Sequence, residues 1–492
     1  MAGISEVYRS SLALLTDLYQ LTMAYGYWKT GNPEREAVFN LTFRQHPFQG
    51  GYTIAAGLGA VLEFLHNFVF SPDDVDFLGH LQGNDGKPLF EAGFLEYLRN
   101  LRFSCDLDGI PEGTVVFPHE PLIRVRGPII QCQILETPLL NLINFQSLIA
   151  TKAARVCLAA QGETVMEFGL RRAQGIDGAL AASRASFIGG CSSTSNVLAG
   201  KLYGIPVRGT HAHSWVMSFD SEAESFQRYA EAMPNNCVFL VDTYDTLEGV
   251  RHAVKAGMWL REHGHEMIGI RLDSGDLAYL SQEARRILDA NGFPKAVIVA
   301  SNDLDEHIIT SLKAQNAQVA VWGVGTKLAT GGDQSALGGV YKLVAVREPG
   351  QTWEYKVKLS EQAIKVSTPG ILGVRRYFDE REWIGDLIYD EPRGLPAEPI
   401  QVDPMDSTRR RKIPAEARSE ELLVPLIRNG KGIYQSPSLT SMQARVRDQL
   451  SKFHDGVKRL VNPHKYPVGL ELGLHELKTR LILKARGFGD VS

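Results

Sequence analysis

A run of short apolar segments between about Thr164 and Thr326 limits the folds open to this chain more than any other feature. Seven segments rich in β-branched residues recur roughly every twenty to thirty residues, about the length of one strand–helix unit. They are TVMEFGL, ASFIGG, IPVRGT, CVFLVDT, MIGIRLDSGD, AVIVASND and VAVWGVGT. Segments between them, such as DTLEGVRHAVKAG, have helical periodicity. The pattern predicts a (β/α) barrel or a doubly wound parallel sheet, and the unbroken succession of units favours the barrel.

The sequence on both sides of this region has a different texture. Before it, AVFNLTFR predicts a strand, TVVFPHEPLIRVRGPIIQCQIL two or three strands, and LLNLINFQSLIATKAARVCLAA a helix. After it, residues 390–420 are rich in proline and charge and predict a long surface loop, followed by an amphipathic helix in SLTSMQARVRDQLSKFHDGVKRLV. A chain of 492 residues with such changes has about two or three domains.

Composition excludes several classes of protein. The formal net charge is -4, so the chain lacks the global basic field of a nucleic-acid-binding protein. Its five cysteines form no CxxC pair, which argues against a disulfide scaffold or a structural zinc site. We see no signal peptide and no stretch of about 18 apolar residues that could cross a membrane. We therefore expect a cytoplasmic (cytosolic) protein that binds neither nucleic acid nor membrane.

Polar side chains follow the apolar segments, at the strand ends where barrel enzymes place their reactive groups. Arginine presents a planar fork that suits carboxylates and phosphates, and carboxylates can hold Mg²⁺. A Gly-x-Gly-Thr turn can direct backbone N–H groups toward an anion. The set suits a phosphorylated sugar bound together with a small anionic partner. Its members are Arg171, Arg172, Thr210, His211, His213, Asp242, Arg271, Asp273, Asp276, Ser301, Asn302, Asp303, Gly323, Gly325, Thr326 and Lys327.

Each of these motifs and residues also has a simpler, structural interpretation. GVGT can be a tight turn, and Arg271 with Asp273 a plain surface ion pair. The histidines of GTHAHSW can be a surface pair or two metal ligands. The aspartates of VDTYDT, Asp242 and Asp245, can cap the next helix, and Tyr19 can belong to the core. The joint occurrence of these groups at successive strand ends favours a functional site.

Ten motifs then carry a resemblance to a known family. They are TDLYQLTMAYGYW, FRQHPFQGGYTIAAGL, LINFQSLIATKAARV, EFGLRRAQG, FIGGCSSTSN, GTHAHSW, IRLDSGDL, SNDLDE, GVGTKLAT and GGVYKLV. In this order they resemble nicotinate phosphoribosyltransferase, of the type II phosphoribosyltransferase fold, from about Leu14 to about Gly370. The resemblance implies an irregular (β/α) barrel over 149–354 and a second α+β sheet domain built from 1–148 and 355–492. It also implies a head-to-tail homodimer whose active sites form between subunits.

The resemblance assigns a nicotinate site. Tyr19, entering with Asp17 from the neighbouring subunit, would stack on one face of the nicotinate ring, and Phe168 on the other. Arg271, with Thr210, would hold the carboxylate, and Arg171 would lie against the ring or the phosphates. The nicotinamide-using relative has an acidic residue at a position where this chain has the uncharged residues Cys191, Ser192 and Ser193. The absence of a carboxylate there favours nicotinate over nicotinamide as the substrate.

The resemblance also assigns the phosphoribosyl and phosphate groups. Asp273 would contact ribose hydroxyls, and the remaining contacts would come from Asp17, Lys152, Arg155, Asn302, Asp303, Gly323, Gly325 and Thr326. His213 matches the family histidine that ATP phosphorylates, and His211 fills a variable position. Ser214 follows His213 where many bacterial members have glutamate.

The reaction that the resemblance implies makes nicotinate mononucleotide, the first step of NAD synthesis from nicotinate. Nicotinate, phosphoribosyl pyrophosphate, ATP and water would give the mononucleotide, pyrophosphate, ADP and phosphate, with Mg²⁺ or Mn²⁺ as cofactor. Three alternatives stay open at this point. They are a nicotinamide or quinolinate phosphoribosyltransferase, a homologue that only binds ligands, and a metal-dependent hydrolase built on His211 and His213.

Overall fold

The computed structural model of the chain describes residues 11–380 and 383–488. Strands and helices are numbered here in chain order. The strands are β1 (Glu36–Phe43), β2 (Thr53–Ile54), β3 (Asp106–Gly109), β4 (Val115–Val116), β5 (Ile123–Pro128), β6 (Thr164–Glu167), β7 (Ser193–Thr194), β8 (Val238–Leu240), β9 (Gly269–Leu272), β10 (Val297–Ala300), β11 (Val321–Val324), β12 (Gly339–Arg347), β13 (Glu354–Tyr355), β14 (Leu372–Phe378), β15 (Trp383–Asp390), β16 (Ile400–Val402), β17 (Arg410–Lys412), β18 (Arg418–Glu421), β19 (Val424–Arg428), β20 (Lys431–Gly432) and β21 (Val468–Glu471).

The helices range from single turns to one of 24 residues. They are α1 (Leu18–Lys29), α2 (Leu58–His66), α3 (Pro72–Gly79), α4 (Ala92–Asn100), α5 (Ile129–Ile134), α6 (Glu136–Ala159), α7 (Gly175–Gly189), α8 (Val197–Tyr203), α9 (His213–Met217), α10 (Glu222–Ala232), α11 (Thr246–Glu262), α12 (Leu277–Ala290), α13 (Glu306–Ala314), α14 (Thr326–Ala329), α15 (Leu439–Ser451), α16 (Asp455–Lys458) and α17 (Leu472–Ala485). Short 3₁₀ turns span Pro47–Gln49, Leu170–Arg172 and Ala363–Lys365. Within the residues described, no helix is both long and apolar enough to cross a membrane.

One of two compact units, Leu148–Ser335 with Leu439–Arg447, contains a parallel sheet of six strands. Its strand order is β7-β6-β11-β10-β9-β8, and every neighbouring pair is parallel. Helices α11, α12 and α13 each follow a strand of this sheet, as parallel pairing requires a crossover connection. All four residues of β11 are buried, which is typical of a strand covered on both faces.

Two of the seven segments predicted as strands were wrong. ASFIGG forms the end of helix α7, in which every residue from Ala185 to Gly189 is buried. A helix end buried all round shows a continuous apolar run and not a helical period, so sequence periodicity cannot distinguish it from a strand. IPVRGT is not a strand, because only Val207 pairs, in an isolated parallel bridge with Thr194.

The other unit contains the described residues up to Ser147, Ala336–Ser438 and those from Asp448 onward. One of its sheets is antiparallel, in the order β13-β12-β1-β5-β3-β19-β20. A second sheet has the order β17-β16-β21-β15-β14-β18, in which only β15 and β21 run parallel. Strand β1 pairs along its whole length with β12, so both parts of the chain build one sheet. The predicted class is confirmed, an irregular parallel α/β unit with a second sheet-containing unit built from both ends.

Two predictions for this unit were wrong in their secondary structure. IIQCQI, predicted as part of a strand, is helix α5, and all six of its residues are buried, so no alternation could show. Residues 390–420, predicted as a long surface loop, contain strands β16 and β17 and the start of β18. Strand β17 consists of Arg410–Lys412, all exposed, at the edge of its sheet. Charge is common on edge strands because it prevents further pairing, so charge alone does not indicate a loop.

A buried ion pair joins β14 to β15. Arg376 Nε donates to Asp386 Oδ1 at 2.8 Å and Nη2 donates to Oδ2 at 2.5 Å, and neither side chain is exposed. Arg376 Nη2 also donates to the Val115 carbonyl at 2.8 Å, and Tyr466 Oη donates to Asp386 Oδ1 at 2.9 Å. Burial, with the nearby charge of Asp386, raises the pKa of Glu120 well above its ordinary value. Arg376 therefore balances the charge of Asp386, while its surroundings favour the protonated form of Glu120.

Candidate functional site

A pocket of about 360 Å³ lies at the C-terminal ends of the parallel strands. This volume is in the range of small-molecule sites. The walls come from the segments that follow β6, β9, β10 and β11 and from the segment that leads into α9. The lining residues are Phe168, Leu170, Arg171, Arg172, Ser195, Gly209, Thr210, Ala212, His213, Leu240, Arg271, Asp273, Ser301, Asn302, Asp303, Gly323, Gly325 and Thr326.

Arg271, near the end of β9, is the centre of the polar network in this pocket. Its Nε donates to Ser301 Oγ at 2.9 Å, Nη1 to Thr210 Oγ1 at 3.1 Å and Nη2 to Asp273 Oδ1 at 2.8 Å. The guanidinium carbon lies 5.8 Å from the centroid of the Phe168 ring. These three bonds hold the side chain in one orientation and leave N–H groups of the guanidinium for a ligand. The arrangement is a preorganised cationic fork that suits a carboxylate.

Asp273 is an ionised carboxylate in the same network. Its Oδ1 accepts hydrogen bonds from Arg271 and from Ser301 Oγ, whereas Oδ2 lies 3.7 Å from Nε2 of His213. Burial raises the pKa of Asp273, but the hydrogen bond from Ser301 and the charge of Arg271 outweigh burial, so the pKa lies below its ordinary value. Asp273 therefore stays charged at neutral pH and can accept hydrogen bonds from a ligand.

The two aspartates that follow β8 have different roles. Asp245 caps helix α11, because its Oδ1 accepts from the backbone N–H of Glu248 at 2.9 Å. Asp242 is buried, and its Oδ2 accepts from the backbone N–H of Asp273 at 2.8 Å and from Ser274 Oγ at 2.6 Å. Asp242 therefore fixes the turn after β9 and, with it, the position of Asp273.

The two histidines of GTHAHSW have separate environments. His213 is the first residue of α9, its side chain is 39% exposed, and its Nδ1 lies 3.1 Å from Thr243 Oγ1. His211 is buried against the edge of Tyr229, and its Nε2 accepts from the Leu240 N–H at 3.3 Å. Burial lowers the pKa of His211 to about 4, so this ring is neutral at physiological pH. His213 is the histidine that a ligand can reach.

Within the described residues, no group of three or more His, Cys, Asp or Glu side chains could hold a metal ion. A metal-dependent hydrolase built on His211 and His213 needs at least one further ligand beside them. The burial of His211 and its bond to the Leu240 N–H also give that ring a structural role. The described residues therefore offer the hydrolase interpretation no ligand set.

Phe168 forms a flat apolar wall of the pocket; Gly323 makes room for its ring, and Gly169 lets the following turn pack against Ala329. The Phe168 N–H donates to the Val324 carbonyl at 2.8 Å, which continues the pairing of β6 with β11. A Cβ on Gly323 would lie 2.7 Å from the Phe168 ring, and a Cβ on Gly169 would lie 2.3 Å from the Cβ of Ala329. Any side chain at Gly323 would therefore displace the ring, so one role of this glycine is steric.

A buried carboxylate behind Phe168 holds this wall in place. Glu167 is 1% exposed and accepts hydrogen bonds from Ser183 Oγ at 2.9 Å, Thr194 Oγ1 at 2.5 Å and the backbone N–H of Gly169. Asn196 Nδ2 donates to Ser183 Oγ at 3.2 Å. This network ties the end of β6 to α7, β7 and the start of α8, so a buried charge is satisfied by donors from several elements.

Arg172 reaches across the pocket to the GVGT loop. Its Nη1 donates to Thr326 Oγ1 at 3.0 Å and lies 3.9 Å from Asp303 Oδ1. Asn302 and Asp303 both have positive φ, of 94° and 42°, which is uncommon for residues other than glycine. Strained backbone of this kind is concentrated at functional sites.

Most predicted site residues line one pocket, but four of them do not. Phe168, Arg171, Thr210, His213, Arg271, Asp273 and the predicted residues of 302–326 all line the pocket. Lys152 and Arg155 do not line it. Both are buried on α6, where Lys152 Nζ lies 2.5 Å from Glu306 Oε2 and Arg155 Nε donates to Glu306 Oε1 at 2.8 Å. This buried triad binds α6 to α13 and gives both cations a structural partner, so their contact with a pyrophosphate stays a prediction.

The remaining predicted residues lie elsewhere. Asp17 and Tyr19 belong to the other compact unit, where Asp17 Oδ2 accepts from Thr137 Oγ1 at 2.8 Å and Tyr19 is 49% exposed. Cys191, Ser192 and Ser193 do not line the pocket. Of the described residues in that segment, only Ser195 does. Ser195 is therefore the uncharged residue of this segment that lines the pocket.

Four residues of this network have no role assigned from the sequence. They are Arg172, Ser301, Asp242 and Thr243. Each of them directly follows a predicted strand or its first turn, and that position placed the first three, but not Thr243, in the set of strand-end residues. A serine or threonine at a strand end is too common to stand out without knowledge of its partner across the pocket.

Comparison with known families adds an independent line of evidence. The model of the nicotinate phosphoribosyltransferase N-terminal domain matches residues 14–144, the family model matches 164–355, and the model of the C-terminal domain matches 373–478. Together they cover most of the chain.

Individual relatives match over nearly their whole length. The chain is 43% identical to nicotinate phosphoribosyltransferase of Bacillus subtilis, over 96% of this chain and 97% of the relative. It is 35% identical to the human nicotinate phosphoribosyltransferase, over 97% and 98%. The crystal structure of the human nicotinic acid phosphoribosyltransferase superposes with a TM-score of 0.83 at 33% identity, covering 95% of this chain and 99% of that chain. A nicotinate-nucleotide pyrophosphorylase from Pyrococcus furiosus, 22% identical with a TM-score of 0.67 over 92% and 98%, shares the fold.

Proposed function

Because the chain belongs to the nicotinate phosphoribosyltransferase family, we propose that the pocket at the ends of its parallel strands is the active site of that reaction. There, nicotinate takes the phosphoribosyl group of phosphoribosyl pyrophosphate to form nicotinate mononucleotide, the first step of NAD synthesis from nicotinate. The observation that carries the proposal is the network in which Arg271, Asp273 and His213 meet in one pocket.

Nicotinate binds through its carboxylate and its ring. The carboxylate accepts from Arg271 and Thr210, which are already held 3.1 Å apart by their own hydrogen bond. The ring lies against Phe168. Ser195 is the residue of the FIGGCSSTSN segment that lines the pocket. Because its side chain is uncharged, it does not repel the carboxylate of nicotinate. An amide ligand would offer Arg271 a neutral acceptor in place of a carboxylate and lose the charge-assisted hydrogen bond, so nicotinamide is the disfavoured substrate.

Transfer takes place at C1 of the ribose. The lone pair of the nicotinate nitrogen forms the new bond while the bond from C1 to the pyrophosphate oxygen breaks. Positive charge develops on the sugar as it does in glycosyl transfer. Asp273 is ionised, and its Oδ2 is available to a ribose hydroxyl near that charge. Asn302, Asp303, Gly323, Gly325 and Thr326 supply the contacts to the sugar and its phosphates.

ATP is the co-substrate, and His213 is the group that it phosphorylates. An unprotonated ring nitrogen of His213 forms a bond to the γ-phosphorus while the bond to the ADP oxygen breaks, and water later releases phosphate from the histidine. The exposure of His213 in the pocket supports this role, as does its position beside Thr243 and Asp273, which orient the ring.

Mg²⁺ or Mn²⁺ is the expected cofactor, and the residues present fit an ion that arrives with the substrate. Proteins commonly hold Mg²⁺ through one or two carboxylates and the phosphates of the substrate. Asp303 offers such a carboxylate, because its side chain is 68% exposed and lines the pocket. Bound there, the ion would neutralise charge on the leaving pyrophosphate.

The proposal predicts which base the enzyme accepts and what His213 contributes. Purified protein is supplied with Mg²⁺, phosphoribosyl pyrophosphate and nicotinate, nicotinamide or quinolinate, each with and without ATP, and the mononucleotide is measured by chromatography. We expect product from nicotinate alone, at a rate that ATP raises. We expect His213→Ala to lose the stimulation by ATP, because no nitrogen is left to accept the phosphoryl group.

The matched control is His307→Ala, which removes an exposed histidine of α13 outside the pocket. It should keep the response to ATP. Product mainly from nicotinamide or quinolinate would contradict the assigned specificity. Binding of the substrates without release of pyrophosphate would support the alternative of a homologue that only binds ligands.

The proposal includes a homodimer in which Asp17 and Tyr19 of one protomer enter the pocket of the other. Tyr19 is half exposed on α1 beside Leu18, which is 52% exposed. The pocket-bearing unit carries exposed apolar side chains on α8, among them Val197 at 70%. Exposed apolar surface of this kind marks interaction sites. Tyr19 would then stack on the nicotinate ring opposite Phe168.

A mixing experiment tests the shared site. Tyr19→Ala and His213→Ala should each lack the ATP-stimulated part of the activity when assayed alone, and that part is what the experiment measures. A mixed dimer has one site with both Tyr19 and His213 intact, so an equimolar mixture should recover about one quarter of wild-type activity after subunit exchange, because half of the dimers are mixed and each has one complete site. The mixed dimers can be purified through two different tags, one on each variant. If these dimers remain inactive, each protomer builds its site alone.

We place the enzyme in the cytosol. Its five cysteines are all free thiols, and four of them are buried. Free thiols are typical of a reducing compartment, where ATP and phosphoribosyl pyrophosphate are available.

A further inference from the structure

Arg172 is a cation with no assigned role, held at the phosphate side of the pocket. It closes the 3₁₀ turn Leu170–Arg172 and donates to Thr326 Oγ1 at 3.0 Å. Its side chain is 55% exposed, so it contacts Thr326 from the solvent side of the pocket and is not part of the core. An exposed cation at this position can exchange its hydroxyl partner for an anion without disturbing the core.

The charges of the pocket leave a phosphate at Thr326 without a cationic partner unless the Leu170–Arg172 turn supplies one, and Arg172 is the arginine of that turn bonded to Thr326. Of the described lining residues, the permanent cations are Arg171, Arg172 and Arg271. Arg271 is neutralised by Asp273 at 2.8 Å and held by Thr210, on the side where the carboxylate of nicotinate binds. The next residue after Thr326, Lys327, does not line the pocket. A phosphate monoester dianion at Thr326 therefore needs a cation from the Leu170–Arg172 turn.

We propose that Arg172 binds the 5′-phosphate of the phosphoribosyl group. This inference rests on the proposed function and adds the cationic half of the phosphate site, whose other half is the Gly323–Thr326 loop. In the free enzyme, Thr326 and the weaker contact with Asp303, at 3.9 Å, hold the guanidinium close to the place that the phosphate takes. The phosphate then accepts from Arg172 and from Thr326 together.

Two neighbouring arginines allow a matched test. Arg171 and Arg172 are consecutive and both exposed, so they offer a matched pair of substitutions. Arg172→Ala should raise KM for phosphoribosyl pyrophosphate about 10- to 100-fold, the loss expected for a charge-assisted hydrogen bond, and leave KM for nicotinate nearly unchanged. Arg172→Lys, which keeps the charge but not the planar guanidinium, should recover part of that loss. Arg171→Ala leaves the bond between Arg172 and Thr326 in place, so it should raise KM for phosphoribosyl pyrophosphate less than Arg172→Ala does.

Binding of phosphoribosyl pyrophosphate, measured by titration calorimetry without nicotinate, separates the inference from a structural role. Weaker binding to Arg172→Ala, with an unchanged midpoint of thermal unfolding, supports the proposal. Equal binding to wild type and to Arg172→Ala overturns it, and so does an equal rise in both KM values. Failure of the proposed function itself is distinguishable, because the wild-type protein would then form no nicotinate mononucleotide.

Discussion

Arg271→Ala should lower kcat/KM for nicotinate by about a hundredfold or more, since loss of one partner from a partly buried, hydrogen-bonded charge pair costs roughly 2–5 kcal/mol. The side chain holds Ser301, Thr210 and Asp273 through three hydrogen bonds of 2.8–3.1 Å. Its removal takes the carboxylate fork away and releases Asp273 from its counterion. Steady-state kinetics with nicotinate as the varied substrate measure the effect.

Arg271→Lys separates the fork from the charge. A lysine keeps the positive charge but cannot make the three bonds in one plane, so most of the loss should remain. Because the variant weakens recognition of the acid, its preference for nicotinate over nicotinamide should also fall. Arg286→Ala is the control, since this arginine lies on the helix after β9 and is 73% exposed. If Arg271→Lys keeps the wild-type kcat/KM for nicotinate, the proposal that the planar guanidinium of Arg271 binds the nicotinate carboxylate is wrong.

Arg376→Met should destabilise the unit that contains it by about 3–5 kcal/mol, the usual cost of leaving one member of a buried ion pair alone. Arg376 and Asp386 are both fully buried, and the guanidinium also packs 4.3 Å from the Trp383 ring. Methionine fills much of the same volume, so the loss is mainly electrostatic. The midpoint of thermal unfolding, followed by circular dichroism, should fall by roughly 10 °C.

A double variant tests the electrostatic reason. Arg376→Met with Asp386→Asn removes both charges, so it should regain more than half of the stability lost in Arg376→Met. Arg393→Met is the control, because its contact with Asp390, at 3.7 Å, is weaker and the arginine is 42% exposed. A double variant no more stable than Arg376→Met would mean that packing against Trp383, and not charge balance, accounts for the loss.

The segments that the sequence predicted well are those with one buried face or a clear boundary. β1 and the strands of CVFLV, MIGI and AVIVA lie where alternating or apolar runs ended at turn residues. The failures are α5 and the end of α7, which are buried all round, and β17, which is charged at a sheet edge. Periodicity reports how one element divides its surface between core and solvent, so an element without that division carries no such signal.

The candidate site also has features that the sequence determined and features that only the tertiary structure decided. The sequence by itself determined the chemical inventory of the strand ends, including Arg271, Asp273, His213 and Thr326, because parallel strands direct their C-terminal ends to one edge. Only the tertiary structure decided the partners. It paired Lys152 and Arg155 with Glu306, and it buried His211 while leaving His213 open.

The physical reason is that a residue type and its position on a strand restrict what a side chain can do, but its protonation, orientation and partner depend on groups far away in sequence. Asp242 illustrates this. As a sequence feature it was one of two equivalent helix caps, yet its hydrogen bonds to Asp273 and Ser274 reach across more than thirty residues. Such contacts form only when neighbouring strands pack, so they are properties of the fold and not of any local pattern.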